Sequence, residues 1–150
     1  GITFQPDNPT RMEAFDRLMQ STDLVMLDIK HIDDAEHQKL TKQSNRHILE
    51  FAEYLKEKGV PVWIRHVVVP GITLNDDYLR QLGHFIGGLD NLKALDVLPY
   101  HTMGEVKYEN LGIDYPLKGV PAATKEQAIH AKQVIFEGIK ERIREDIQKH

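Results

Sequence analysis

Short, uniformly apolar runs alternate with longer amphipathic stretches along this chain. Leu24-Val25-Met26-Leu27 is too short and too continuously apolar for an amphipathic helix, and predicts a strand near residues 24–30 covered on both faces. Val60 to Val69 is rich in β-branched residues and closes at Pro70-Gly71, which predicts a strand near 60–69. A third short strand falls near 93–99. The intervening stretches carry helical spacing. Asn8-Pro9-Thr10 with Glu13 reads as a capping box ahead of Met12, Phe15, Leu18 and Met19, a helix over 11–20. Ile48, Phe51, Ala52 and Leu55 form the stripe of a second helix, which Gly59 ends as a left-handed cap before Pro61. Thr73 and Asp76 open a third, with Leu79, Leu82, Phe85 and Ile86 facing inward and Gly87-Gly88 as its stop. Thr124 and Gln127 make a capping box before Ala128, Ala131, Ile135, Ile139, Ile143 and Ile147, a long C-terminal helix. Residues 102–120, with Gly104, Gly112, Pro116 and Gly119, show no period and read as a functional loop or lid.

Helix, strand, helix, strand, helix, strand, loop and helix in that order predict an α/β fold with parallel strands and right-handed crossovers. Three strands do not close a barrel, and 150 residues fall short of the roughly 250 of a complete eight-fold one. Composition supports a folded domain: 41% of residues are hydrophobic and 28% charged. The net charge of -4 is too mild to point to nucleic acid, and basic residues are interleaved with acids, as in Lys56-Glu57-Lys58. No run reaches a membrane-spanning length and the start lacks a signal-peptide pattern, so the expected location is the cytoplasm. The chain contains no cysteine, which removes disulfides, thiolate nucleophiles and thiolate-held clusters from this stretch.

Each apolar run ends in reactive polar groups: Asp28-Ile29-Lys30, then Arg65 within the second run, then Pro99-Tyr100-His101. In parallel α/β folds the ligand sits at the carboxyl ends of the strands, so these groups point to a site. Alternation puts Met26, Asp28 and Lys30 on one face and Val25, Leu27 and Ile29 on the other, with the aliphatic face packing on helices. Asp28 and Lys30 then lie about 7 Å apart along the strand and can hold opposite ends of one zwitterionic ligand. Arg65 is expected on the same concave side, because a guanidinium against the helix layer would be buried without water. Taken singly, each residue also has a plainer reading: Asp28 and Lys30 as strand-end charges in solvent, Arg65 as an ion-pair partner, His101 as an exposed loop histidine. Trp63 and Asp96 read as packing or strand-edge residues. His31, His37, His47, His66 and His84 show no HxH or HExxH spacing, so metal binding through them is not expected.

Taken together, Thr22 to Lys30, Val62 to Gly71 and Leu98-Pro99-Tyr100-His101, followed by Gly104, Lys107-Tyr108, Leu111-Gly112, Tyr115 and Pro121, resemble the C-terminal half of the pyruvate formate-lyase activating enzymes. That family belongs to the radical SAM class. The resemblance implies half of a partial (β/α)6 barrel. In the parent enzyme a [4Fe-4S] cluster cleaves S-adenosylmethionine (SAM) reductively, and the resulting radical takes a hydrogen from a glycine of pyruvate formate-lyase. It implies flavodoxin or ferredoxin as electron donor. By the same resemblance Asp28 and Lys30 match SAM-contacting positions, His101 one that approaches the nucleoside, and Arg65 a catalytic cavity residue. Met26, through its carbonyl, and Asp28 match ligands of a monovalent cation.

The family's CxxxCxxC loop and its Gly-Gly-Glu segment are both missing from this sequence. Gly87-Gly88 is followed by Leu89 and stands after a helix, so it is no substitute. The expectation is that residues 1–150 are the second half of a longer enzyme, that the isolated chain is inactive and binds no cofactor, and that it self-associates to cover the strand edge and lumen left open. Two alternatives compete. One is a Schiff-base aldolase-type barrel using Lys30 with Asp28 as proton-transfer partner; the other is a non-catalytic module whose concave face docks a protein.

Overall fold

The computed structural model of the chain describes residues 4–102, 117 and 119–149. Among these residues eight elements follow one another: α1 (Pro9–Gln20), β1 (Val25–Asp28), α2 (Asp34–Thr41), α3 (Arg46–Lys58), β2 (Val62–Val68), α4 (Asp76–Gly87), β3 (Leu92–Pro99) and α5 (Lys125–Gln148). The strands form one three-stranded parallel sheet in the order β1-β2-β3. This is the expected α/β pattern, with strand ends displaced by one or two residues.

Local chemistry explains the boundaries. The Asn8 side chain accepts from Arg11 N at 3.2 Å with Pro9 at the first helical position, which caps α1. Gly59, at φ 69, ends α3 in the left-handed conformation that its missing Cβ permits. Thr124 and Gln127 form the reciprocal capping box of α5. Three sequence expectations need correction. Asn8 caps α1 with Pro9 already helical, so Glu13 lies too far along to close a capping box. Thr73 does not open α4: Asn75 caps that helix, while buried Thr73 takes Val69 N–H at 2.7 Å and donates to Val67 O, locking the turn that follows β2. And α2 went unanticipated.

The helix-facing side of the sheet is the core. Leu27, Ile29, Val62, Ile64, Val68 and Leu95 are buried against residues that include Leu55, Leu79, Leu82, Ile86 and Ile135. Phe4, Phe15, Phe51 and Tyr54 form an aromatic cluster with ring centroids 5.2 to 6.4 Å apart, which ties α1 to α3. Helices α4 and α5 approach unusually closely: a Cβ on Gly83 would stand 2.0 Å from the Ile135 carbonyl oxygen, and one on Gly138 2.3 Å from that of Arg80. The opposite face of the sheet is left open. Met26 on it is 52% exposed, and among the described residues β1 has no strand partner along its outer edge.

Candidate functional site

Parallel pairing sets the register that builds the open face. Met26 stands beside Trp63 and Trp63 beside Ala94; Asp28 stands beside Arg65 and Arg65 beside Asp96. Partners in a sheet project to the same side, so a carboxylate, a guanidinium and a second carboxylate run across the three strands at one level. Lys30 lies two residues beyond Asp28, where β1 leaves the sheet.

Distances show how these charges treat one another. Asp28 Oδ1 is 3.8 Å from Arg65 Nε and Asp28 Oδ2 is 4.0 Å from Lys30 Nζ, with all three side chains about half exposed. These separations exceed hydrogen-bonding reach. The groups attract weakly across a wet site and do not consume each other's donors and acceptors, so a ligand carrying both an ammonium and a carboxylate can insert between them. Asp28 and Lys30 also line a cavity of about 300 Å³ together with Phe4, His37, Thr41 and Phe51. It offers apolar walls and a charged rim.

His101 follows the exit of β3. The chain leaves β3 at Pro99; buried Tyr100 donates its N–H to Val68 O at 2.9 Å and accepts from Ala123 N at 3.0 Å, and exposed His101 follows. Two strand spacings, about 10 Å, separate the exits of β1 and β3. Asp28 and Lys30 at the end of β1 and His101 just after β3 thus stand at the carboxyl end of the sheet, while Arg65, in the middle of β2, lies level with Asp28. The reading of 102–120 as a lid concerns residues that, for 103–116 and 118, lie outside those described.

Sequence reasoning passed over the polar groups behind this rim. His66, 3% exposed on the helix-facing side of β2, donates from Nδ1 to Ile29 O at 2.7 Å. Burial pushes its pKa down to about 4, against the opposing effect of that hydrogen bond. His31, fully buried, accepts Asp33 N–H on Nδ1 at 3.1 Å, which leaves Nε2 to donate to Ile72 O at 3.2 Å; burial lowers its pKa too. Asn45, also buried, donates to the carbonyls of His31 and Ile32. The signal was present: a histidine at 66 in phase with Val62, Ile64 and Val68 must find a partner inside the helix layer. Asp96, read as a packing or edge residue, shares the open face with Arg65. Trp63 there has a buried indole N–H without a hydrogen-bond partner among the described residues.

The fold and the rim agree with what relatives show. The profile of the radical SAM superfamily matches residues 2–82, and the chain belongs to that superfamily. Within it, the chain is 45% identical over 146 residues to a pyruvate formate-lyase-activating enzyme of Streptococcus mutans, covering 95% of this chain and 55% of that protein. It is 47% identical over 128 residues to one of Listeria monocytogenes, covering 85% and 52%. The chain thus spans about half the length of these relatives. A crystal structure of a domain of a pyruvate-formate lyase-activating enzyme from Bacteroides vulgatus superposes with a TM-score of 0.65 over 84% of this chain and 69% of that one, at 20% identity, which shows the shared fold.

Two groups that the superfamily implies meet different receptions here. The charged, half-open rim fits SAM, whose amino-acid arm is a zwitterion. The cluster finds no ligand, because the chain has no thiolate to offer. A monovalent cation would draw on the Met26 carbonyl and the Asp28 carboxylate, two donors where a hard cation takes about six. Among the described residues no group of three or more acidic or imidazole side chains is placed to hold a metal. No helix among them is long and apolar enough to cross a membrane. The Schiff-base alternative for Lys30 gains nothing from this kinship.

Proposed function

We propose that residues 1–150 are the C-terminal half-barrel of a radical SAM activating enzyme that installs a glycyl radical on pyruvate formate-lyase, working in the cytoplasm with reduced flavodoxin or ferredoxin as its electron source. The observation that carries it is the union of 45–47% identity to activating enzymes with a rim of opposed charges at the carboxyl ends of parallel strands. Within this half, Lys30 holds the carboxylate of the SAM amino-acid arm. Asp28 faces its ammonium or, with the Met26 carbonyl, a monovalent cation beside it, and His101 lies toward the nucleoside. Arg65 sits between them at the level where the reacting carbon and the substrate loop meet. The cluster belongs to the other half of the enzyme, and this half alone neither binds it nor cleaves SAM. Its unpaired β1 edge and open face make the isolated chain self-associate.

In the full-length enzyme bearing this segment, Lys30→Ala is expected to weaken SAM binding at least tenfold by equilibrium dialysis, and Asp28→Asn to do so with a loss of monovalent-cation dependence. Unchanged affinity in both variants would overturn the site. A gene whose residues upstream of Gly1 lack CxxxCxxC and Gly-Gly-Glu would overturn the parentage.

A further inference from the structure

The carbonyls of the residues flanking Lys30, those of Ile29, His31 and Ile32, are held by two buried polar side chains that no step of SAM binding uses directly. Ile29, 1% exposed, gives its N–H to Arg65 O at 3.1 Å and takes the His66 ring at 2.7 Å on its carbonyl, so consecutive residues of β2 grip both backbone polar atoms of the residue between Asp28 and Lys30. On the other side of Lys30, Asn45 at the start of α3 donates to His31 O at 3.2 Å and Ile32 O at 2.8 Å. The His31 ring is itself fastened to Asp33 N and Ile72 O, with Tyr78 of α4 edge-on at 4.6 Å between centroids. Asn45 in turn is anchored through its own N–H to Asp34 Oδ1 at 2.8 Å.

Such a network costs stability to bury and is stable only when every member is satisfied. A strand that merely ended at Asp28 would need none of it, since an exposed exit finds water for its carbonyls. What the network secures is the direction in which a long, flexible, half-exposed lysine leaves the sheet. An ammonium on four rotatable carbons binds a carboxylate tightly only if its base is fixed, because rotamer freedom lost on binding opposes the gain. Outer groups that orient the residues touching a ligand tune affinity in the same way in metal sites.

We propose that His66 and Asn45 are positioning residues for the SAM-binding pair, the buried imidazole fixing the Ile29 carbonyl and the amide fixing those of His31 and Ile32, so that Asp28 and Lys30 leave β1 in a set geometry. This rests on the SAM site proposed above and adds residues that do not touch the ligand. It is tested in the full-length enzyme with SAM affinity measured by equilibrium dialysis and kcat measured separately at saturating SAM. His66→Phe keeps ring volume but deletes the donor, and is expected to weaken SAM binding five- to twentyfold with kcat within twofold. His66→Asn restores an N–H near the Nδ1 position and is expected to recover most of the affinity. Asn45→Ala acts from the other side of Lys30, so it gives the same split even if the His66→Phe protein does not fold. Lys30→Ala is the control. If it weakens binding while His66→Phe and Asn45→Ala both leave affinity within twofold, the positioning role is overturned and the SAM site stands. If Lys30→Ala has no effect, the site falls and the positioning role with it.

Discussion

His66 shows how a single side chain couples the fold to pH. It is neutral in the folded protein, its pKa pushed by burial to about 4, while in the unfolded chain it returns to the ordinary value near 6.5. The unfolded state therefore binds the proton first as pH falls, and stability present above about pH 6.5 is lost progressively toward pH 4. His31, lowered by burial, acts in the same direction. The His66 share amounts to roughly 3 kcal/mol at most, taking 1.36 kcal/mol per pH unit. Thermal melts of the 150-residue chain are expected to fall steeply from pH 6.5 to 4, and the His66→Asn protein to lose a clear part of that slope; parallel slopes would refute the assignment. Residues of this kind are hard to recognise from sequence. Asp28 and Lys30 were legible because they end an apolar run in opposite charges, whereas His66 and Asn45 act through backbone carbonyls whose location only the fold supplies. Asp96 was missed because its importance is one of register: nothing local says that it stands beside Arg65.

At the level of elements, strands and long helices follow from apolar spacing, and short or sparsely apolar pieces do not. Helix α2 buries only His37, so it has no apolar stripe to find. Its signature lay in the cap instead, since Asp33 accepts from Glu36 N at 3.0 Å in an Asp-x-x-Glu pattern. The α4–α5 crossing was equally hidden, because a glycine inside a helix reads as a weakness until a neighbour's backbone is seen against it. Gly83→Ala should gain about 1 kcal/mol of helix propensity. The new methyl, however, would stand 2.0 Å from the Ile135 carbonyl oxygen, so the helices must separate or the substitution fails. Overpacking of this kind costs about 1–3 kcal/mol and more when backbone must move. A net fall in melting temperature of roughly 5 °C is expected for the chain, with Gly138→Ala behaving alike. A rise in either variant would show that the crossing is looser than described. Charge pairs along the same seam, Arg80 with Glu137 and Glu141 and His84 with Glu145 at 2.7 Å, are exposed and add little each.

For the molecule as a whole, one face of the sheet is finished and the other is not. Met26 is 52% exposed and, among the described residues, the Trp63 indole N–H is buried without a partner and β1 has no strand on its outer edge. Such edges recruit other chains. Sedimentation of the isolated chain is expected to show a dimer or larger species, and Met26→Glu, which places a charge on the open face, to shift it toward monomer. A monodisperse monomer at tens of micromolar would contradict this. The parallel α/β architecture was legible from the order of strands and helices.

The strand order β1-β2-β3 matches the order of the sequence. Each new strand docks on the edge of the one synthesised just before it, after its crossover helix has had time to close over the shared face. A ribosome can therefore deliver this sheet in the sequence in which it grows, each strand waiting only for the next one made.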